Sequence, residues 1–101
     1  MELKPGTRLR SATDAAQIVV VKAPTGDVDL RCGGQPMLPA DADAPTVAVA
    51  AGFDGGTQIG KRYADDDLGI ELLCTKPGEG SLSIGDAVLE IKSAKPLPAS
   101  D

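Results

Sequence analysis

Histidine and tryptophan are absent from this chain, and its aromatic side chains stop at Phe53 and Tyr63. Without histidine no Ser–His–Asp or Cys–His nucleophile can be built within one chain. Imidazole proton shuttles and imidazole metal ligands fall away with it. Carboxylate, Lys, Cys or Tyr chemistry is what remains, so a non-catalytic role is expected rather than an enzyme. Cations are also in short supply: 10 Lys plus Arg stand against 15 Asp plus Glu, a net charge of −5. Phosphate backbones are held by cations that displace counterions, and RNA-binding sheets add stacking rings. Nucleic acid is therefore not an expected partner. No stretch approaches the ~18 consecutive apolar residues of a membrane span. Residues 1–10 carry Glu2, Lys4, Arg8 and Arg10 with no apolar centre, unlike a secretory signal. A cytoplasmic setting, with no membrane partner, is the expectation. No motif implies a cofactor.

Long helical patterns are missing too, since no amphipathic helix of ten residues can be drawn. What the chain has instead is 12 Gly and 8 Pro in 101 residues, the punctuation of short strands and turns. Leu, Ile, Val and Phe are enough for one small core, and the 14 Ala make it a light one. The expected fold is all-β: a single small barrel or sandwich of six or seven short strands with a long irregular middle loop. A light core and a bare sheet edge favour a homodimer.

Charge divides the chain unevenly, with net +1 over residues 1–32, −4 over 33–67 and −2 over 68–101. These bounds separate a first strand group (1–32), a loop-rich middle (33–67), a second strand group (68–93) and a Pro-containing tail (94–101). Residues 6–11 alternate as a short strand. Residues 17–22, with the run Ile18 to Val21, suit a pleated surface better than a helix. Pro24-Thr25-Gly26 is a turn, and residues 28–32 then place Val28, Leu30 and Cys32 on one face. These two strands read as a hairpin with a longer loop. Later strands are expected over 68–75, 81–84 and 87–92, with Leu68, Ile70, Leu72, Cys74, Leu82, Ile84, Ala87, Leu89 and Ile91 inward. Residues 46–51 fit either a short strand or one turn of helix.

Four features could carry chemistry. Cys32 and Cys74 read first as small apolar residues on inward strand faces. A disulfide is one alternative and a thiol-based redox or metal pair is another. Two thiolates alone complete no structural zinc site. Lys61, Arg62 and Tyr63, followed by Asp65 to Asp67, combine two cations and a phenol that can hold a carboxylate or phosphate. If the strands ending in Cys32 and Cys74 pair, Gly33-Gly34 and Lys76-Pro77-Gly78 flank a pocket at one end of the sheet. Closure of the middle loop then brings Lys61, Arg62, Tyr63 and Lys76 to one small anionic ligand. The glycine clusters match no phosphate-binding pattern and read as loop glycines. Residues 85–100 are similar to the lysine-bearing hairpin of lipoyl and biotinyl carrier domains. Pro96 directly after Lys95 departs from that pattern, so no carrier role is assigned. The function expected from sequence is a small binding or accessory module, acting through protein contacts or a small anionic ligand. The thiol protein is the alternative.

Overall fold

A computed structural model describes residues 2–43 and 46–92. The described chain is all-β. Ten short strands run β1 Arg8–Arg10, β2 Gln17–Lys22, β3 Leu30–Cys32, β4 Gln35–Pro36, β5 Leu38–Pro39, β6 Arg62–Asp65, β7 Ile70–Lys76, β8 Leu82–Ile84, β9 Ala87–Val88 and β10 Glu90–Ile91. They form two antiparallel sheets. The larger has the order β10-β6-β7-β2-β1-β5 and the smaller β4-β3-β8-β9. Among the described residues no helix is long and apolar enough to cross a membrane.

Alternation along the strands decides what is buried. Leu9, Ile18, Val20, Tyr63, Ile70, Leu72 and Cys74 point inward from the larger sheet. Leu30, Cys32 and Leu82 point inward from the smaller, and all ten join one apolar cluster. Full burial of a side chain such as Ile18 or Leu72 contributes about 1.5–3 kcal/mol.

Two buried residues mark where the chain changes sheet. Met37 lies between β4 and β5, and its N–H reaches the Leu30 carbonyl at 3.1 Å before Leu38 pairs with Arg10. Leu89 lies between β9 and β10, with its N–H 2.8 Å from the Leu82 carbonyl before Glu90 pairs with Ala64. Both side chains sit in the core cluster. The edge of each sheet thus continues as the edge of the other. The ladders do not close into a barrel: β5 and β10 edge the larger sheet and β4 and β9 the smaller, each only two residues long.

Three sequence expectations change. The hairpin of residues 17–22 with 28–32 does not form: β2 pairs with β1 and β7, and β3 pairs with β4 and β8. Alternation fixes which face of a strand is buried, not its neighbour, and both ladder sides of β2 are taken by others. Residues 46–51 form neither strand nor helix. They are tied by single bonds, Val47 N–H to the Ala12 carbonyl and Ala50 N–H to the Gly33 carbonyl. Ten strands replace six or seven because the four corner segments have two residues each, too short for a period to show. The strand expected over 87–92 is one of these, broken at Leu89, so Ala87 and Ile91 are exposed rather than inward. Leu68 is exposed as well, because it lies in the turn before β7 and not on the strand. Residues 94–101, including Lys95 and Pro96, lie outside the described residues.

Candidate functional site

Four loops meet at one end of the two sheets: residues 11–16, 33–34, 50–57 and 76–81. Asp14 is the hub. Its Oδ1 accepts the Ala16 N–H at 2.8 Å, and its Oδ2 accepts the Gly80 N–H at 2.7 Å and the Thr13 hydroxyl at 2.9 Å. With the Thr13 proton so used, the Ser11 hydroxyl donates to Thr13 Oγ1, 2.9 Å away, while Ser11 Oγ accepts the Thr13 N–H. Short side-chain oxygens in a turn substitute for ladder partners in this way. The middle loop is sewn to the same end. Ser81 N–H donates to the Phe53 carbonyl, Gly55 N–H to Ser81 Oγ, and Gly78 N–H to Thr57 Oγ1.

The Gly33-Gly34 and Lys76-to-Gly80 turns therefore do come together, and the middle loop does close over them. The route differs from the one read in the sequence. β3 and β7 lie in different sheets, and residues 50–57 make the closure, not Lys61 to Tyr63.

Beside Asp14 a groove of about 430 Å³ opens, lined by Arg10, Asp14, Ala15, Gln17, Ala40, Thr46 and Lys76. It is built by register. Arg10 stands opposite Gln17, and Gln17 opposite Lys76, across β1, β2 and β7. The register slips by one residue between Gln17 and Ile18, leaving Thr75 unpaired. A bulge of this kind re-aims a side chain, and here it sets Lys76 along the groove. The Thr75 hydroxyl donates to the Gln17 carbonyl at 3.2 Å. Arg10 is steadied by donation from Nη1 to the Ala42 carbonyl at 2.9 Å. Both Asp14 oxygens face protein donors, so the one carboxylate of the lining is already engaged. Lys76 forms no ion pair among the described residues.

Of the four residues singled out in the sequence, Lys76 alone lines this groove. Lys61 is exposed near the start of β6. Arg62 points outward and pairs through Nη1 with Glu71 Oε2 at 3.1 Å. Tyr63 points inward into the core, where its hydroxyl accepts the Gln58 N–H at 2.9 Å and burial raises its pKa. Arg62 and Tyr63 occupy opposite faces of one strand, the direct result of a two-residue period. Glu71 is 2 % exposed, covered by Arg62 and by Lys92, whose Nζ lies 2.8 Å from Oε1. The Lys92 hydrogen bond holds the Glu71 carboxyl below its ordinary range, against the opposing effect of burial. Sequence reading missed Arg10, Asp14 and Gln17. Asp14 did leave a local signal, since Ser11, Thr13 and Asp14 crowd a short link between two strands.

Cys32 and Cys74 are both free and buried. Cys32 Sγ faces the Gly80 carbonyl at 3.6 Å and Cys74 Sγ the Lys76 carbonyl at 3.1 Å. Among the described residues no set of three His, Cys, Asp or Glu is grouped to hold a metal. Burial pushes the Cys32 thiol up to about 11 and raises Cys74 as well. A thiol that holds its proton is a poor nucleophile. Ellman's reagent at neutral pH should leave the native protein untouched and find two thiols after denaturation; rapid native labelling of either would contradict this. The folded pKa of Cys32 exceeds the unfolded value. Its contribution to stability is therefore intact below about pH 9 and declines as pH rises toward 11, by about 2–3 kcal/mol at the end. Urea midpoints across this range should fall less steeply in Cys32→Ala.

No family model, no curated protein and no solved structure matches this chain.

Proposed function

We propose that this domain is a non-catalytic binding module that takes an anionic group in the groove between Arg10 and Lys76. One observation carries the reading. The bulge at Thr75 brings Lys76 beside Arg10 and Gln17, in a groove whose carboxylate has both oxygens occupied. A carboxylate or phosphate there meets two cations, with the amide of Gln17 and the hydroxyl of Thr46 as further polar partners. The groove is open and polar, which suits a group presented at the surface rather than a swallowed ligand. Among the described residues no nucleophile with an adjacent base lines it. Both thiols are held as protonated donors to backbone carbonyls, which favours binding over thiol chemistry.

The test is isothermal titration with phosphate, citrate and short dicarboxylates, repeated on Gln17→Ala combined with Lys76→Ala. Arg10 is left in place because it also secures residue 42. The expected result is binding that weakens about tenfold in the variant and with added salt. Binding that survives the double substitution unchanged, or no binding across the panel, would remove the reading.

A further inference from the structure

The groove is one part of a larger charged surface. On the outward side of the larger sheet, register places Arg8, Val19, Leu73 and Arg62 in one row across β1, β2, β7 and β6. The adjoining row holds Arg10, Gln17 and Lys76. Lys22 and Lys92 flank Glu71 on the same side. Six of the ten Lys and Arg residues of a chain with net charge −5 thus share one face. Four acidic residues lie on or beside that side among the described residues: Glu71, already clasped by Arg62 and Lys92; Asp14, whose oxygens are taken by protein donors; Asp66, which after Glu71 helps to raise the Lys92 pKa; and Glu90 on the outermost strand. Arg8 is exposed and forms no ion pair among the described residues.

A second hollow of about 250 Å³ adjoins the first, lined by Arg8, Gln17, Ile18, Val19 and Thr75. Gln17 belongs to both. The two hollows thus form one track across β1, β2 and β7, with Arg8 in one and Arg10 and Lys76 in the other. Arg8 and Arg10 are alternate residues of a strand, so their Cα atoms lie about 6.5–7 Å apart. An extended peptide repeats its same-side side chains at that same spacing. Half-buried Val19 and Leu73 give the track an apolar margin. Exposed rings on which bases would stack are missing from it: Tyr63 is in the core, and Phe53 is half-buried beside Gly34 at the end of the sheets.

We infer that the occupant of this face is an extended acidic segment of a partner protein, with carboxylates on alternate residues matching Arg8 and Arg10 along β1 and a further carboxylate meeting Lys76, two strands across the sheet. This rests on the anion-binding reading of the groove and names its partner. The probe is a short fluorescein-labelled peptide of alternating Glu and Thr, followed by anisotropy. Oligo(dT) and inorganic phosphate serve as comparison probes. Arg8→Gln with Lys76→Gln removes two cations from the track; Lys4→Gln with Arg31→Gln removes two from elsewhere. Circular dichroism checks that each variant is folded. The expected result is peptide binding that weakens about tenfold in the first variant and little in the second, with oligo(dT) bound no better than its bulk charge dictates. A peptide that fails to bind, or binds both variants alike, overturns the inference. If phosphate binding still responds to Lys76→Gln, the groove reading stands without it. If no probe responds to Lys76→Gln, both fail.

Discussion

Asp14→Ala is expected to lower stability by about 3–5 kcal/mol, with a fall in Tm of roughly 15–25 °C for a domain of this size. The carboxylate accepts from two backbone N–H groups, Ala16 and Gly80, and from the Thr13 hydroxyl. Alanine leaves all three donors without their acceptor, at about 1–3 kcal/mol each where water cannot replace it. Asp14 is itself only half-buried, so water recovers part of the loss and the total stays below the upper sum. Asp14→Asn should fall between alanine and the native protein. One amide oxygen can serve the Ala16 side or the Gly80 side, while the amide nitrogen then confronts a donor. Chemical denaturation of the three proteins checks the ranking. A cost under about 1 kcal/mol for alanine would mean that the loops are held by their backbone contacts instead.

Gly80→Ala should be as damaging, for a steric reason. A Cβ at Gly80 would stand 2.7 Å from the Gly33 nitrogen, 2.8 Å from its Cα and 2.7 Å from Asp14 Oδ2. The first two obstacles are backbone, and Gly33 is itself fixed by its N–H bond to the Ser81 carbonyl at 2.9 Å. No rotamer change relieves the overlap, so the two turns must separate. Overpacking of this kind costs about 1–3 kcal/mol, and separation also lengthens the Asp14 bond to Gly80. A total of about 3 kcal/mol or more is expected, with loss of soluble protein as the severe outcome. Gly26→Ala is the control. Nothing lies within 4 Å of its Cβ position, and only its φ of +89° opposes the change. That strain should cost about 1 kcal/mol. Equal losses at the two positions would show that contact at Gly80 is not the cause.

The strands were readable where the chemistry is local. The β-branched run of residues 17–22 matches β2 residue for residue, and Ile70, Leu72, Cys74, Leu30, Cys32 and Leu82 all turn inward as their alternation requires. Who stands beside whom was not readable. Pairing is a long-range choice: Gln17 meets Lys76 and Arg10 meets Leu38, and nothing in the period of either strand names its partner. The candidate site inherits that limit. Lys76 could be singled out as a cation after a strand, but Arg10 and Gln17 become its neighbours only through the order β1-β2-β7 and the slip at Thr75. Tyr63 shows the reverse failure. Beside Lys61 and Arg62 it looks like part of a basic cluster, yet a two-residue period sends it to the other side of the sheet, into the core. The corner residues Met37 and Leu89 were hidden because each is flanked by only two residues of strand on either side.

Those corners decide how the molecule comes apart. In a fold with free edge strands, the outermost strand can peel away while the rest persists, and amide exchange then reports a ladder of separate openings. Here residues 35–39 and 87–91 each belong to both sheets. Peeling either segment from one sheet drags its other half out of the second, and draws Met37 or Leu89 out of the shared core at the same time. Fraying at either border is opposed in this way, and exchange of the amides of Ile18, Val20 and Leu82 is expected to require loss of the whole structure at once.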